Sequence, residues 1–446
     1  MSGIEETKDS IIIELASIME KKKFLFISAD NLINDIAWQV FKQGHSVKYC
    51  SEKKGEQDCS EGILPKVKNW RQYINWADVI IYDDFFGSGR KAEKLRKQGK
   101  KVIGGTSYSD RLEEDRAFGQ EELKKAGIAI LPYREFTDYQ QAINYVKKYP
   151  AAYVIKPCDE VQNDKNLLFV GIDKKGHDII QMLSNYRNSL GKKMKRFQLQ
   201  RKVEGVEIAV GAFFNGYKFI YPININFEHK RLFSGEVGPA TGEMGTSMFW
   251  SKPNKLFRQT LKKMESKLSQ EGYTGYIDLN CIVNDQGVFP LEFTSRFGYP
   301  CISIQAEGIK MPISDFLYRL ANGEDFQFRV KKGFQVGARI VVPPWPYRQK
   351  KIFDKYSKGA KIVFKKRDLS GIHIEDIKLY KGDWVLTGSA GAALIVVGTG
   401  ATIKQAQKQL YRRINNIFIP NMFYRNDIGD RWYQDRIKLR RWGYLK

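Results

Sequence analysis

Two segments of the chain carry residue types and spacings that suit the binding of a magnesium nucleotide. The first, His229–Gly245 (HKRLFSGEVGPATGEMG), joins the cations Lys230 and Arg231 to several glycines. The second, Leu291–Pro300 (LEFTSRFGYP), places Glu292 near the end of an apolar run. A carboxylate on a strand beside a basic, glycine-rich loop can hold a magnesium nucleotide against a small anionic substrate.

The metal ligands are expected on a β-hairpin. Tyr276–Val283 and Val288–Phe293 read as its two strands, joined by the turn sequence Asn-Asp-Gln-Gly. Because side chains alternate along a strand, Glu292 and Thr294 share one face, and Asp278 lies on the neighbouring strand. Oxygen ligands from adjacent strands suit Mg²⁺ bound between carboxylates and phosphates. A buried ion pair or a solvated sheet face is the alternative for these carboxylates.

The identity of the second metal ligand stays open at this point. Asp278 and Asn280 point to the same face of their strand, so either could supply the oxygen. Lys156 ends the apolar strand AYVIK, where a cation could meet nucleotide phosphates or simply extend into solvent. Glu207 at a strand start could accept hydrogen bonds from ribose hydroxyls. Arg296 is the best candidate for bidentate capture of a substrate carboxylate or phosphate.

The glycines of His229–Gly245 predict a ligand-binding loop. Gly235, Gly238, Gly242 and Gly245 would let backbone N–H groups approach an anion closely. A solvated surface loop is the alternative reading. The cations before these glycines favour a ligand loop.

Composition limits the classes of function. The formal charge of +24 comes from Lys/Arg clusters scattered along all 446 residues, which is typical of a solvated surface and argues against nucleic-acid binding. No apolar run approaches the roughly 20 residues needed to cross a bilayer, so no membrane association is expected. The five cysteines show no metal-like spacing and are expected as reduced thiols. We therefore expect a cytoplasmic protein that acts as a monomer on small molecules.

The pattern of elements predicts a multidomain α/β and α+β architecture. Residues 1–20 read as a helical extension, and residues 21–110 as an α/β domain with a parallel sheet. Residues 111–325 and 326–446 would form two further domains, the last one small and β-rich with a closing helix. Leu112–Ala126 and Lys255–Gln270 are each predicted as one helix.

The order of these motifs resembles the phosphoribosylamine–glycine ligase family of ATP-grasp enzymes. The resemblance covers about residues 22–431, and its most specific part is the pair HKR…GPATGEMG and LEFTSRFG. Weaker matches are DRAFGQEELKKAGI, YVIK, VEGVEIAV, YTGYIDLN, TIKQAQKQLYRRI and FYRNDIG. The resemblance implies a pre-ATP-grasp α/β domain, an ATP-grasp domain and a small C-terminal β-rich domain.

The resemblance also implies roles for individual residues. Arg116 and Lys156 would contact ATP phosphates, and Glu207 would contact the ribose. Glu292, with Asp278 and Thr294, would bind Mg²⁺ or Mn²⁺. Three cations would serve catalysis: Lys230, Arg231 and Arg296. The substrate site would be formed by Pro239, Thr241, Gly242, Gly245 and Arg296.

The chain departs from the family pattern in three places, one of which is Thr294 in place of a metal-binding Asn, with Tyr299 and Cys301 in place of acids after RFG. The turn after the first strand is glycine-rich in the family and reads Ser28-Ala29-Asp30-Asn31 here. Asp30 would repel a phosphate, which puts phosphoribosylamine as a substrate in question. The phosphate-covering loop, Pro157–Asn166, has no glycine, although Asn163 and Asn166 tolerate left-handed backbone.

The expected function is an Mg·ATP-dependent carboxylate–amine ligase, resembling the enzyme of purine biosynthesis that joins glycine to a phosphorylated amine. The resemblance implies that ATP phosphorylates the carboxylate and that the amine attacks the acyl phosphate. One alternative is a ligase with a different amine acceptor. Another is a catalytically silent relative that binds nucleotide and acts as an interaction subunit.

Overall fold

The structure is a computed structural model that describes residues 20–84, 87–162, 167–189 and 193–445. The predicted helical extension over residues 1–20 lies outside this range apart from Glu20. Asn163 and Asn166, two residues of the predicted cover loop, also lie outside the described residues.

A parallel sheet forms the N-terminal part of the chain, as the alternating apolar runs predict. Its elements are β1 (Lys23–Ser28), α1 (Asn34–Lys42), β2 (Ser46–Ser51), β3 (Val79–Tyr82), α2 (Ser88–Lys97) and β4 (Val102–Ile103). The strand order is β2-β1-β3-β4, with all neighbours parallel. One face of β1 packs against α1 and the other against α2, so every residue of β1 after Lys23 is buried.

Two short helices follow, α3 (Ser107–Glu114) and α4 (Arg116–Lys125). The prediction of a single helix over Leu112–Ala126 is wrong. Asp115 between them is extended, and its carboxylate accepts a hydrogen bond from the N–H of Phe118 at 3.0 Å. This N-cap starts a new helix, because an aspartate there satisfies a backbone donor that has no partner within the helix.

A small antiparallel sheet comes next in the chain. Its elements are β5 (Tyr133–Phe136), α5 (Tyr139–Lys148), β6 (Tyr153–Pro157), β7 (Phe169–Val170), α6 (His177–Ser189) and β8 (Phe197–Arg201). The strand order is β5-β8-β6-β7. Ile155 and Phe197 face a core shared with α5 and α6. Because side chains alternate, the neighbouring Lys156 and Gln198 point to the opposite face.

A large antiparallel sheet occupies the rest of the molecule. The remaining strands are β9 (Val206–Asn215), β10 (Phe219–Phe233), β11 (Val237–Ser251), β12 (Thr274–Val283), β13 (Val288–Thr294), β14 (Phe334–Val341), β15 (Val363–Phe364), β16 (Ile372–Ile374), β17 (Ile377–Tyr380), β18 (Asp383–Leu386), β19 (Ala392–Gly400) and β20 (Ile417–Phe418). Eight of them form one sheet in the order β13-β12-β9-β10-β11-β14-β19-β16. Strand β15 pairs with β20, and β17 pairs with β18.

The prediction of a loop over His229–Gly245 is wrong. These residues belong to a hairpin of two 15-residue strands, β10 and β11, with its tip at Ser234–Glu236. Gly245 permits close approach within the sheet, because a Cβ there would collide with the carbonyl oxygen of Gly337 on β14.

The remaining helices surround this sheet. They are α7 (Lys255–Gln259), α8 (Glu265–Gln270), α9 (Cys301–Gly308), α10 (Ile313–Ala321), α11 (Lys350–Tyr356), α12 (Ile403–Ile414) and α13 (Trp432–Arg441). The prediction of one helix over Lys255–Gln270 is wrong, because Thr260 leaves helical geometry (φ −125°, ψ −104°) and a 3₁₀ turn separates α7 from α8.

The two faces of the large sheet differ in chemistry. Alternate residues of β9, such as Ile208 and Val210, belong to an apolar core with α7 and α8. Residues of the other parity, such as Glu207, point to the opposite face together with polar residues of β12 and β13. The predicted domain boundary between residues 325 and 326 falls between strands of this one sheet, and it stays a prediction.

Candidate functional site

Three carboxylates converge on one lysine at the polar face of the large sheet. Lys230 Nζ lies 3.0 Å from Glu207 Oε1, 3.3 Å from Glu228 Oε2 and 3.4 Å from Glu292 Oε1. Burial alone would lower the pKa of Lys230, but these carboxylates raise it well above its usual value. Lys230 in turn lowers the pKa of Glu207. Lys230 and Glu207 are therefore a charged pair at neutral pH, with two further carboxyl groups beside the lysine.

The strand register explains this convergence. Glu292 on β13 is the cross-strand partner of Asn280 on β12, and Asn280 pairs with Ala209 on β9. The Asn280 amide donates hydrogen bonds to Glu207 Oε1 at 3.1 Å and to Glu228 Oε2 at 3.3 Å. Directly opposed residues share a face of the sheet, so strands β9, β12 and β13 each place one of these polar side chains here and β10 places two, Glu228 and Lys230.

Asp278 and Thr294 form the next cross-strand pair on the same face. Asp278 is buried, and burial raises its pKa well above the usual range, with Glu228 adding to the effect. Asp278 Oδ1 and Asn280 Oδ1 are buried and have no hydrogen-bond partner among the described residues. Orphaned oxygens beside the Glu292 carboxylate fit a hard cation such as Mg²⁺, which prefers oxygen ligands.

Arg296 is held beside this pair by a buried carboxylate. Its Nη2 lies 3.0 Å from Glu113 Oε1, and its Nη1 donates to the Phe297 carbonyl. Glu113 also accepts the Ser295 N–H at 2.8 Å, which fixes the carboxylate. Burial raises the pKa of Glu113, and the Arg296 charge opposes that rise. Arg296 thus has a fixed orientation within electrostatic reach of Asp278.

The other residues of the β10–β11 hairpin that were predicted for the site make their contacts with groups other than these carboxylates. Arg231 is exposed, and its Nη1 donates to the Gly238 carbonyl. Thr241 is buried and donates to the Lys230 carbonyl at 2.9 Å, which supports the strand that carries the lysine. Gly242 is exposed with open space around it. Half-buried Pro239 lies on the same strand.

The buried Arg425 supports this hairpin through contacts with its strands and its tip, and the sequence analysis assigned it no role. Arg425 bonds to Glu236 and to Asp427 at 2.7 Å, and donates to the Arg231 carbonyl at 3.0 Å. His229 joins the network through Glu236, 2.8 Å from its Nδ1. The residues on both sides of Lys230 are therefore tied to the C-terminal segment. The signal that could have identified Arg425 is the FYRNDIG motif. The family resemblance includes this motif without assigning a role to its arginine.

The predicted phosphate-binding residues lie on the small sheet and on α4. Lys156 is buried on β6, opposite Gln198 on β8. Gln198 donates to Gln120 of α4 and to Glu135 of β5, both at 3.1 Å. Arg116 begins α4, and its buried Nε has no hydrogen-bond partner among the described residues. The sequence reasoning missed the glutamines, although the alternation in FQLQ places two of them on the Lys156 face.

The fold and this site define a protein of the ATP-grasp class: a small sheet carrying cations, and a large antiparallel sheet carrying carboxylates. Models of two family domains match the chain. They are the phosphoribosylglycinamide synthetase ATP-grasp (A) domain over residues 114–301 and the phosphoribosylglycinamide synthetase C domain over residues 354–431.

Individual relatives agree with these matches. A phosphoribosylamine–glycine ligase of Streptococcus pneumoniae is 25% identical over 358 residues, which are 78% of this chain and 82% of the relative. The crystal structure of phosphoribosylamine–glycine ligase from Thermotoga maritima matches with a TM-score of 0.67 and 21% identity, covering 91% of this chain and 100% of that one. The chain belongs to the phosphoribosylamine–glycine ligase family.

A more distant structure shares the fold. The biotin carboxylase domain of Hydrogenobacter thermophilus 2-oxoglutarate carboxylase, in complex with MgADP and bicarbonate, matches with a TM-score of 0.61 and 14% identity. The match covers 91% of this chain and 92% of that one. Within the part of this chain that the structure describes, no helix combines the length and apolar character that a membrane crossing requires.

Proposed function

We propose that the chain joins a carboxylate to an amine at the expense of ATP, as the name of its relatives, phosphoribosylamine–glycine ligase, describes. The observation that carries this proposal is the convergence of Glu207, Glu228 and Glu292 beside Arg296 on one sheet face. Oxygen ligands for a divalent cation and a fixed cation for an anionic substrate are what such a ligase needs.

The chemistry needs no nucleophile from the protein. A carboxylate oxygen of the amino acid attacks the γ-phosphorus of ATP, which gives an acyl phosphate and ADP. The amine nitrogen then attacks the acyl carbon, the C–O bond to phosphate breaks, and the amine loses a proton. The chain supplies positioning and charge neutralisation for both steps.

The residues divide these tasks between the two sheets. On the small sheet and α4, Lys156 and Arg116 would hold the nucleotide phosphates. On the large sheet, Glu207 would accept hydrogen bonds from the ribose hydroxyls. Glu292, with Asp278 or Asn280 and with Thr294, would hold Mg²⁺ or Mn²⁺. When bound, the metal neutralises charge on the phosphates.

The remaining cations face the substrate. Arg296, fixed by Glu113, would orient the carboxylate of an amino acid such as glycine. Lys230 would hold the three carboxylates together until a metal nucleotide arrives, and would then be free to contact the transferred phosphate.

The test is to supply Mg·ATP, glycine and hydroxylamine, and to measure ADP and glycine hydroxamate. Hydroxylamine traps an acyl phosphate whatever the natural amine is, so hydroxamate with an equal amount of ADP would establish the first half-reaction. The Glu292→Gln variant should form neither product, and Glu61→Gln, which removes a largely exposed carboxylate elsewhere, should match the wild type. Absence of ADP with hydroxylamine and with phosphoribosylamine would refute the proposed function.

A further inference from the structure

The topology of the parallel sheet marks a second ligand position. Strand β1 lies between β2 and β3, and the chain leaves β1 toward β2 before it returns to β3 on the other side. In such sheets, ligands bind outside the carboxyl ends of the strands where the strand order reverses. The turn after β1, residues 29–33, and the pair Asp83 and Asp84 after β3 lie at this crevice.

The crevice connects to the carboxylates of the large sheet. Tyr299 lies within electrostatic reach of Asp83 and Asp84 and also of Arg296. Only a few residues separate Tyr299 from Glu292 in the chain. The crevice therefore adjoins the position where an amine would attack an acyl group held beside Arg296.

Three backbone donors of the β1 turn, the N–H groups of Ala29, Leu32 and Ile33, are already bonded within the chain. The N–H of Ala29 donates to Asp83 Oδ1 at 3.2 Å, and the N–H of Leu32 donates to Ser28 Oγ at 3.1 Å. Ser28 Oγ itself donates to Asp83, and the N–H of Ile33 also bonds to that carboxylate. Asp83 is 1% exposed, so it fills the position where a turn of this kind would hold a phosphate.

The cations at the turn, Lys53 and Arg348, are likewise paired with carboxylates of the chain. Lys53 Nζ lies 2.9 Å from Asp30 Oδ1, and Arg348 Nη2 lies 2.9 Å from Asp30 Oδ2. Lys53 also contacts Glu56 Oε2 at 2.6 Å. Burial would raise the pKa of Asp30, but Lys53 and Arg348 outweigh it and lower the pKa below the usual value. Asp30 is therefore ionised at neutral pH and bridges the N-terminal part to the C-terminal part.

We propose that Asp30 determines the specificity for the amine acceptor, and that the acceptor is a primary amine without a phosphate group at this turn. The inference rests on the proposed function and narrows its substrate class. A phosphate would have to displace Asp30 from both cations and Asp83 from the backbone donors. It would then lie beside the ionised Asp30 carboxylate that it had displaced, which repels it. An uncharged or cationic amine meets no such opposition.

The experiment compares a matched pair of acceptors, 5-phosphoribosylamine and ribosylamine, which differ only in the phosphate. With Mg·ATP and glycine, the wild type should use ribosylamine with a kcat/KM equal to or above that for 5-phosphoribosylamine. The Asp30→Gly variant should shift the ratio at least tenfold toward the phosphorylated amine, because it releases Arg348 and removes one of the two carboxylates that contact Lys53. Asp383→Asn, which removes an exposed carboxylate paired with Lys361, should leave the ratio unchanged.

A wild-type preference for 5-phosphoribosylamine would overturn the proposal while leaving the ligase function intact. The hydroxamate assay reports the ligase function without any phosphate on the amine, so the two failures can be told apart.

Equilibrium binding of ribose 5-phosphate and of ribose provides a readout that does not depend on turnover. Asp30→Gly should gain at least tenfold in affinity for ribose 5-phosphate over the wild type, with no change for ribose. Equal affinity of both proteins for ribose 5-phosphate would also overturn the proposal.

Discussion

Replacing Arg425 with methionine tests whether the C-terminal segment positions Lys230. The Arg425 side chain is fully buried, and it bonds to Glu236, to Asp427 and to the carbonyl of Arg231. Glu236 is half exposed, so water replaces most of that interaction. The Asp427 carboxylate is largely buried, and breaking a buried pair of this kind costs about 3–5 kcal/mol.

This loss should appear locally, at the hairpin that carries Lys230. Three kcal/mol corresponds to roughly a hundredfold rise in the equilibrium for local opening, because each 1.4 kcal/mol is a factor of ten. Hydrogen–deuterium exchange of peptides covering residues 226–240 should therefore accelerate by about that factor in Arg425→Met. The rate of hydroxamate formation should fall by about tenfold or more, since a displacement of about 1 Å in a positioned group can cost about a hundredfold.

Two further variants serve as controls for this measurement. Arg367→Met removes an exposed arginine and should change neither exchange nor rate. Arg425→Lys keeps the charge but loses the forked geometry, so it should recover only part of the protection. If the 226–240 peptides of Arg425→Met exchange like those of the wild type in a folded protein, Arg425 does not hold the hairpin and the positioning role is wrong.

Three other perturbations give distinct outcomes. Glu292→Gln should lower ADP release by about a hundredfold or more, and an unchanged rate would contradict its role as a metal ligand. Arg339→Met leaves the buried Glu375 without its bidentate partner and should cost about 3–5 kcal/mol in denaturant unfolding, most of which a second change, Glu375→Leu, should restore. Burial would lower the pKa of His373, but the Asp35 carboxylate at 2.7 Å raises it to about 9. The resulting stabilisation of about 3 kcal/mol is complete below about pH 6.5 and disappears as pH rises through about 9, so unfolding curves of the wild type and His373→Gln should converge across that window.

The sequence predicts the β12–β13 hairpin well because its determinants are local. Asn284 accepts hydrogen bonds from the N–H groups of Gln286 and Gly287, which closes the turn and fixes the register. A β-bulge between Asn280 and Cys281 then shifts the register by one residue, and this shift places Glu292 opposite Asn280. The expected oxygen ligands on adjacent strands follow from residues within one hairpin.

The β10–β11 hairpin could not be predicted in this way. Its glycines and proline favour a loop by composition, whereas its strands are anchored at their base, where β9 pairs with β10 up to Asn226 and β14 pairs with β11 from Gly245. Gly245 lies under the Gly337 carbonyl oxygen of β14, where a side chain would collide. A composition rule cannot distinguish a glycine that permits close strand packing from one that forms a turn.

The contacts that complete the site join residues far apart in the sequence. Arg425 meets Arg231 across 194 positions, and Asp83 meets Ala29 across 54. Sequence reasoning recognised that Asp30 opposes a phosphate, but the partners Lys53 and Arg348 come from different parts of the chain. Periodicity describes one element at a time, so pairings of this kind require the fold.

The site has the opposite sign of charge to the whole chain. The protein carries a formal charge of +24, which attracts anionic nucleotides at long range, but three carboxylates surround the one lysine at the polar sheet face. A bare triphosphate that reached these carboxylates would be repelled at short range, where the local charges dominate the distant ones. A divalent cation reverses that local sign. We therefore expect the nucleotide to enter as its metal complex, with the surface charge raising the rate of encounter and the carboxylates selecting the metal-bound form.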